Sequence, residues 1–379
     1  MSKLNELIHK LCPDGVEYKK IKDVFQRLRG TPITAGKMKE IESSDGDIRV
    51  FAGGKTVINA KEEDIPNANI IRVPAVLVQS RGVIDVVYYE KPFTFKNEMW
   101  AYTSDNKIAV KFLYYVLKNN IQKFRDAAAG MGSLPQISLP VTEEFEVPVP
   151  PLPVQSEIVR ILDNFTELTA ELTAELTARK KQYGYYRDFL YTADDADIEW
   201  TTLDRISENC DRQRKPVTKG NRVSGKYPYY GASGIVDYVE DYIFDGDFLL
   251  VSEDGANLLA RSTPIAFSIS GKNWVNNHAH VLKFDTYELR RYVEIYLNSI
   301  DLSKYISGGA QPKLNQENLN KIPIPVPSPE RVKYMVSILD RFDTLCHDIS
   351  EGLPAEIEAR QKQYEYYRDK LLAFGEVNV

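Results

Sequence analysis

Ile161-Leu-Asp163 and Ile338-Leu-Asp340 are the same three residues met twice, 177 positions apart, each followed by one residue and a phenylalanine, Phe165 and Phe342. The same offset relates Val147-Pro-Val-Pro150 to Ile324-Pro-Val-Pro327, Pro135 to Pro312 and Gly132 to Gly309. Further along, Ala178-Arg-Lys-Lys-Gln-Tyr183 matches Ala359-Arg-Gln-Lys-Gln-Tyr364, and Tyr185-Tyr-Arg-Asp188 matches Tyr366-Tyr-Arg-Asp369, now 181 apart. Near the front, Val16-Glu-Tyr18 matches Ile198-Glu-Trp200 at 182. A period near 180 is too long for a solenoid repeat. It marks duplication of a globular unit plus a helix, hence pseudo-twofold symmetry.

The helices read directly from the pattern. Pro148, Pro150, Pro151 and Pro153 form an extended lead-in, because proline and the residue before it resist helix. After it, Ile158, Ile161, Leu162, Phe165, Leu168, Leu172 and Leu176 mark one apolar stripe at helical spacing. Pro323, Pro325, Pro327 and Pro329 lead into a second stripe, Val332, Met335, Leu339, Phe342, Cys346 and Ile349. Its alternating steps of three and four are those of a coiled-coil seam. Gly352 and Pro354 should break this helix before it resumes at Ala355. Neither helix has a partner nearby in sequence, so the economical arrangement pairs them with each other, antiparallel, as a spacer. Residues 166–177 repeat Thr-Glu-Leu-Thr, Ala-Glu-Leu-Thr, Ala-Glu-Leu-Thr. Leucines every four residues drift against a seven-residue repeat.

The globular units read as α+β. Residues 72–89 are rich in Val, Ile and Tyr and predict strands around Pro74 and Gly82; residues 242–251 do likewise, with a turn at Asp245-Gly246. Residues 112–124 and 287–300 predict helices.

Of the 379 residues, 43% are apolar and 27% charged, an ordinary globular balance. No run reaches the ~18 to 20 apolar residues of a membrane span, and Met1 to Lys10 has no secretory apolar core. Cys12, Cys210 and Cys346 lie far apart with no CxxC, which fits reduced thiols in a cytoplasmic protein. The net charge of −6 hides two basic segments, at 19–39 and 205–226; such segments are electrostatic footprints for nucleic acid or solvated surface. The acid is gathered elsewhere, at 194–197 and 351–358.

Catalytic motifs fail on inspection. No glycine-rich cofactor loop and no Asn-Pro-Pro-aromatic methylase motif occurs. Gly54-Lys55-Thr56 has the tail of a phosphate loop, but Arg49 stands where its first glycine is required. His278-Ala279-His280 puts two imidazoles on one strand face, with no cysteine or carboxylate close in sequence to complete a metal site. What remains is binding chemistry. Lys226-Tyr-Pro-Tyr-Tyr-Gly-Ala-Ser-Gly234 is basic, aromatic and glycine-rich, and Arg49-Val-Phe-Ala-Gly-Gly-Lys55 is its partial counterpart. Small residues admit close backbone approach. Lysine and arginine contact phosphate, and Ser, Asn, Gln and Arg read base edges.

Taken together, the two proline lead-ins, the two Ile-Leu-Asp segments and the two Gln-Tyr-x-Tyr-Tyr-Arg-Asp segments resemble the specificity subunits of type I restriction–modification systems. Tyr227-Pro-Tyr-Tyr-Gly-Ala-Ser-Gly234, Glu253-Asp-Gly255 and Asn276-Asn-His-Ala-His280 look like motifs of one class of that family's target-recognition domains. The Thr-Ala-Glu-Leu repeats resemble the type IC subclass. The first unit fits its class less well: Phe51-Ala-Gly-Gly54 stands where the second has Tyr230-Gly-Ala-Ser233.

The resemblance implies two target-recognition domains, residues 1–150 and 193–327, and two spacer helices, residues 151–192 and 328–379. Each domain would read one half of a split, asymmetric site in double-stranded DNA. The helices would set the gap and dock two methyltransferase subunits, through Leu168, Leu172, Leu176, Leu339 and Phe342. The chain itself would hold no catalytic residue, metal or cofactor: S-adenosylmethionine, ATP and magnesium belong to methyltransferase and restriction partners. The DNA-contacting residues expected are Lys37, Lys39, Gly53, Gly54, Lys55 and Arg81 in the first domain. In the second they are Arg214, Lys219, Arg222, Lys226, Tyr227, Tyr229, Tyr230, Ser233, Asn276 and His278. An orphan or decoy specificity-like subunit and a coiled-coil scaffold for proteins are the alternatives. One four-residue repeat adds ~6 Å and ~40° along a helix, against ~3.4 Å and roughly 34–36° per base pair, which suits the first helix to a ruler.

Overall fold

The computed structural model describes residues 3–128, 134–192, 198–261, 263–307 and 312–377. Gly132 and Gly309 of the repeat, and the acids at 194–197, lie outside the described residues. The chain divides into two compact units, Met1–Thr173 with Ile357–Val379, and Ala174–Glu356. Both limits fall inside long helices, Leu152–Thr192 and Leu353–Leu371.

In the first unit a four-stranded antiparallel sheet runs in the order Gln26–Leu28, Trp100–Thr103, Ala75–Gln79, Asp85–Tyr89. Ala75–Gln79 is buried along its whole length, as the apolar run Ala75–Val78 requires. A three-stranded sheet sets Ile48–Phe51 antiparallel to Val57–Ala60 and parallel to Phe93–Phe95. The helix Lys107–Asn119 buries Val110, Leu113 and Val116 in one core with Val76, Val78 and Tyr102. It starts five residues before the expected Phe112, because the Asn106 side chain caps the amides of Ile108 and Ala109 at 2.9 and 3.4 Å. It also ends earlier, at Asn119, and Ile121–Ala127 is a separate helix.

The second unit repeats this plan. Glu208–Asn209, Ala279–Lys283, Phe248–Ser252 and Ala266–Ile269 form one sheet; Gly234–Val239, Ser224–Gly231, Lys272–Val275 and Phe244–Asp245 form the other. Ser224–Gly231 is again antiparallel to its hairpin mate and parallel to the next strand. The helix Tyr287–Ser299 begins at a Thr286 cap.

Each proline lead-in begins as a strand of a two-stranded ladder, and its last proline, Pro153 or Pro329, already lies in the first turn of the following helix. Glu146–Pro148 pairs with Tyr18–Lys20, and Pro323–Val326 with Glu199–Thr202. Two-stranded ladders leave every strand an edge, where proline's missing N–H costs nothing.

The Ile-Leu-Asp repeats then explain themselves. Leu162 and Leu339 are fully buried. Asp163 accepts from the Tyr115 hydroxyl at 2.5 Å and from Lys111 at 2.8 Å. Asp340 accepts from Tyr287 and Arg291, both at 2.7 Å. Each carboxylate thus ties its long helix to the helix that covers the unit's main sheet.

Long helices do pair within each unit. In the first, Phe165 stacks on Tyr367 at 5.6 Å. In the second, Tyr183 meets His347 at 5.9 Å and Tyr186 meets Phe342 at 5.6 Å. In the second unit partner numbers fall as the first helix advances, so the pairing there is antiparallel. Pro329–His347 stops two residues short of the end of the expected stripe, leaving Ile349 81% exposed. Gly352 makes the break: a Cβ there would stand 2.4 Å from the Thr344 carbonyl oxygen. Helix resumes at Leu353 rather than Ala355, with Pro354 in its first turn, where proline is tolerated. Leu339 belongs wholly to the core, while Leu168, Leu172, Leu176 and Phe342 are half-buried.

Candidate nucleic-acid interface

Four segments meet at one end of each unit, held by the same backbone bonds. In the first unit Lys96 N–H donates to the Phe51 carbonyl at 2.9 Å, and Ile137 N–H to that of Ser80 at 2.9 Å. Gly82 N–H donates to the Pro135 carbonyl at 2.8 Å. In the second, Asn276 donates to Tyr230 at 3.0 Å, Leu314 to Glu253 at 3.0 Å and Gly255 to Pro312 at 2.7 Å. The hairpin turns therefore correspond, and Phe51-Ala-Gly-Gly54 does stand where the second unit has Tyr230-Gly-Ala-Ser233. The repeated Pro135 and Pro312 serve this frame through their carbonyls.

The first unit's loops carry positive charge. Gly54 and Lys55 are both left-handed, φ +69° and +71°. That is ordinary for glycine and strained for lysine, a strain that recurs at binding sites. Gly54 N–H donates to the Arg81 carbonyl at 3.2 Å, and Gly53 N–H to the Glu98 carboxylate at 3.1 Å. Burial pushes the Glu98 carboxyl up, but Lys96, 2.9 Å away, and the Gly53 N–H hold it below its ordinary value. Lys55 and Arg81 are exposed.

In the second unit the hairpin turns through Ala232-Ser233, with Gly234 at φ +127° and Ser233 exposed. Asn276 is buried, and its side-chain oxygen accepts the His278 N–H at 2.8 Å. The His278 ring is half exposed, Nδ1 3.1 Å from Asp254.

The remaining expected residues spread away from these loops. Lys37 and Lys39 ride on the helix Ala35–Ile41, Lys37 paired with Glu40 at 2.9 Å. Lys219 and Lys226 are exposed, Lys226 toward the open end of the second unit's hairpin. Lys226 lies about 20 Å along the strand from Ser233, at ~3.3 Å per residue. There Lys226 covers Tyr227 at 5.2 Å, Tyr227 packs on Tyr242 at 5.1 Å, and Lys272 covers Tyr242 at 4.5 Å. This is a second basic, aromatic patch.

Three expected contacts are tied into the interior. Arg214 is 14% exposed and engages Asp211, Glu253 and the Ala279 carbonyl. Arg222 pairs with Asp237 at 3.1 Å and lies 4.3 Å over the Tyr229 ring. Tyr229 is 1% exposed, its hydroxyl bonded to the Val217 backbone. Tyr230 is half-buried against Phe267.

Sequence reasoning passed over Lys96, Gln136, Lys272 and Lys313, and met Asp254 only inside the Glu253-Asp-Gly255 motif, not among the expected contacts. Gln136 and Lys313 follow the repeated prolines directly, so the repeat itself could have pointed to them; Lys272 has no such signal. Among the described residues no cluster of three His, Cys, Asp or Glu side chains could hold a metal, the cysteines are buried and unpaired, and no helix is long and apolar enough to cross a membrane.

The family described as type I restriction modification DNA specificity domain matches residues 13–179 and again 197–359. The specificity subunit of the Escherichia coli enzymes EcoR124I and EcoR124II is 35% identical over 295 residues, 71% of this chain and 72% of that one. A Haemophilus influenzae protein described as a type I restriction enzyme specificity subunit is 38% identical over 187 residues, and the match spans about half the length of each, 48%. In fold, the chain resembles the crystal structure of a type I restriction–modification S subunit from M. genitalium, with a TM-score of 0.65, 94% and 96% of the two chains covered and 17% identity.

Proposed function

Because the chain belongs to the type I restriction–modification DNA specificity family, we propose that it chooses the DNA sequence for a type I complex and leaves the chemistry to partners. Each unit reads one half of a split, asymmetric site. The long helices hold two methyltransferase subunits and set the gap between halves. Those subunits carry S-adenosylmethionine; restriction subunits, where present, carry ATP and magnesium. The observation that carries this reading is one four-segment frame built twice with different side chains on it. A shared frame presents both loops to a duplex in the same way, and different side chains select different bases. Exposed cations at Lys55, Lys219 and Lys226 supply the sequence-independent phosphate attraction.

The test is co-expression with the methyltransferase subunit and mapping of N6-methyladenine across the host genome. Methylation at one split site, absent without this chain, is the expected result. No new methylation from a folded complex with an active methyltransferase would favour the decoy or scaffold role.

A further inference from the structure

Arg81 and Asp254 occupy one and the same place in the repeated frame. Each follows the central strand of its unit's main sheet, Ala75–Gln79 or Phe248–Ser252. Each forms an isolated antiparallel bridge to the residue after the repeated proline, Arg81 to Gln136 and Asp254 to Lys313. The flanking bonds match as well: Ser80 and Glu253 accept from Ile137 and Leu314, and Gly82 and Gly255 donate to Pro135 and Pro312. The backbone on both sides is therefore fixed, which is what a precise contact needs. The charge is opposite in the two copies, and the residue across the bridge changes with it, glutamine for arginine and lysine for aspartate.

Neither side chain is used by the fold in the ordinary way. Arg81 is exposed; among the described residues its charge helps hold the Glu98 carboxyl down, but it makes no ion pair within 4 Å and no side-chain hydrogen bond. Gly53, Gly54 and Gly82 surround it; a Cβ on Gly82 would lie 3.4 Å from the Gly54 Cα. These three glycines put no side chain of their own beside Arg81. Asp254 stands at the N-cap of the helix Gly255–Ala260, where aspartate usually bonds the first amides, yet its side chain caps nothing. Its carboxylate is 38% exposed, with Oδ1 toward His278 and Oδ2 left to accept.

Building on the reading above, we infer that Arg81 and Asp254 are the base-selecting side chains of the two units. Arg81 reads guanine, donating two hydrogen bonds to O6 and N7. Asp254 reads cytosine, accepting from its exocyclic amine. These are the pairings that each group's donor and acceptor geometry favours in the major groove. Each unit then discriminates at one G·C pair through the same scaffold position, and the two halves differ because the sign of the charge there differs.

The test compares methylomes of the co-expressed complex carrying wild-type chain, Arg81→Ala or Asp254→Asn. Arg81→Ala should lose about tenfold or more of its preference at one G·C pair in one half-site, with the other half unchanged. Asp254→Asn should do the same in the opposite half. The untouched half reports that the protein has folded and docked. Should Arg81→Ala silence the complex, Arg81→Lys, which keeps the charge without the two-pronged donor, makes the same comparison. A wild-type split site that neither substitution relaxes, or two changes falling in one half, overturns the assignment and leaves the functional reading standing. A wild-type complex with no split site overturns both.

Discussion

His280 and Asp211 meet in the interior of the second unit, Nδ1 to Oδ2 at 2.6 Å, with side chains 1% and 5% exposed. The other ring nitrogen lies 2.7 Å from the Leu314 carbonyl, and Asp211 Oδ1 accepts the Val281 N–H at 2.9 Å. The pair thus links the central sheet to the segment that carries Lys313, beneath the loops that hold Asp254.

Acid should undo this linkage. Burial pushes the Asp211 carboxyl up, but His280, the Val281 N–H and Arg214 outweigh it and hold it below its ordinary value. A carboxyl depressed by folding contributes its stability above the unfolded value, about 3.9, and loses it as pH falls through the lower folded value. Thermal melts should therefore show wild type declining more steeply than Asp211→Asn below about pH 4. Near neutral pH, Asp211→Ala should cost about 3 kcal/mol, as expected when one partner of a buried pair is removed.

Arg214 and Lys55 should separate structure from DNA contact. Lys55→Ala should lower the slope of log K against log salt by about one and weaken all sequences alike. Arg214→Ala should instead take one partner from each of Glu253, Asp211 and the Ala279 carbonyl and cost stability, on the order of 2–3 kcal/mol. Salt-titrated binding of the assembled complex and urea unfolding of the chain give the two readouts. An Arg214→Ala chain of wild-type stability with a reduced salt slope would return Arg214 to the phosphate contacts.

Leu339 and Leu172 lie on the same kind of stripe with different surroundings. Leu339 is fully buried among Tyr292, Val336 and Met335, so Leu339→Ala should cost about 2–5 kcal/mol. Leu172 is half-buried, and Leu172→Ala should cost less than about 1.5 kcal/mol, short of full side-chain burial. Equal losses in denaturant titration would contradict the burial.

Deleting Thr169 to Leu172 removes one helical repeat, ~6 Å of rise. If the helix is the ruler, the methylated site should keep both half-sequences and lose one base pair of spacer. An unchanged spacer in the methylome would sink the ruler.

Gly255 has no room for a side chain, since a Cβ would stand 2.3 Å from the Pro312 carbonyl oxygen. Gly255→Ala should part the two segments and blur recognition in one half-site while the other half stays sharp.

The architecture was legible in the sequence because it rests on periodicity and repetition. Ile161-Leu-Asp163 and Ile338-Leu-Asp340 exposed the duplication, the prolines marked the lead-ins, and the leucine spacing marked the helices. Two boundaries moved where a cap or a close approach intervened, at Asn106 and at Gly352, and the helix expected to reach Phe124 ended at Asn119. Loop chemistry was legible in part: Lys55, Arg81, Ser233 and His278 do gather at equivalent loops, whereas Lys226 and Tyr227 lie at the hairpin's far end.

By itself, then, the sequence determined two copies of one α+β unit, each with its share of long helix, since burying a stripe at 3.6-residue spacing leaves few other solutions. Only the tertiary structure decided which charges face outward. Arg214 and Arg222 look no different from Lys219 in sequence, but Glu253, 39 residues on, and Asp237, on the hairpin's other strand, claim them. It also decided that Arg81 and Asp254 share one position, because that equivalence is written in hydrogen bonds between distant backbone segments, and no local pattern of residue types encodes those.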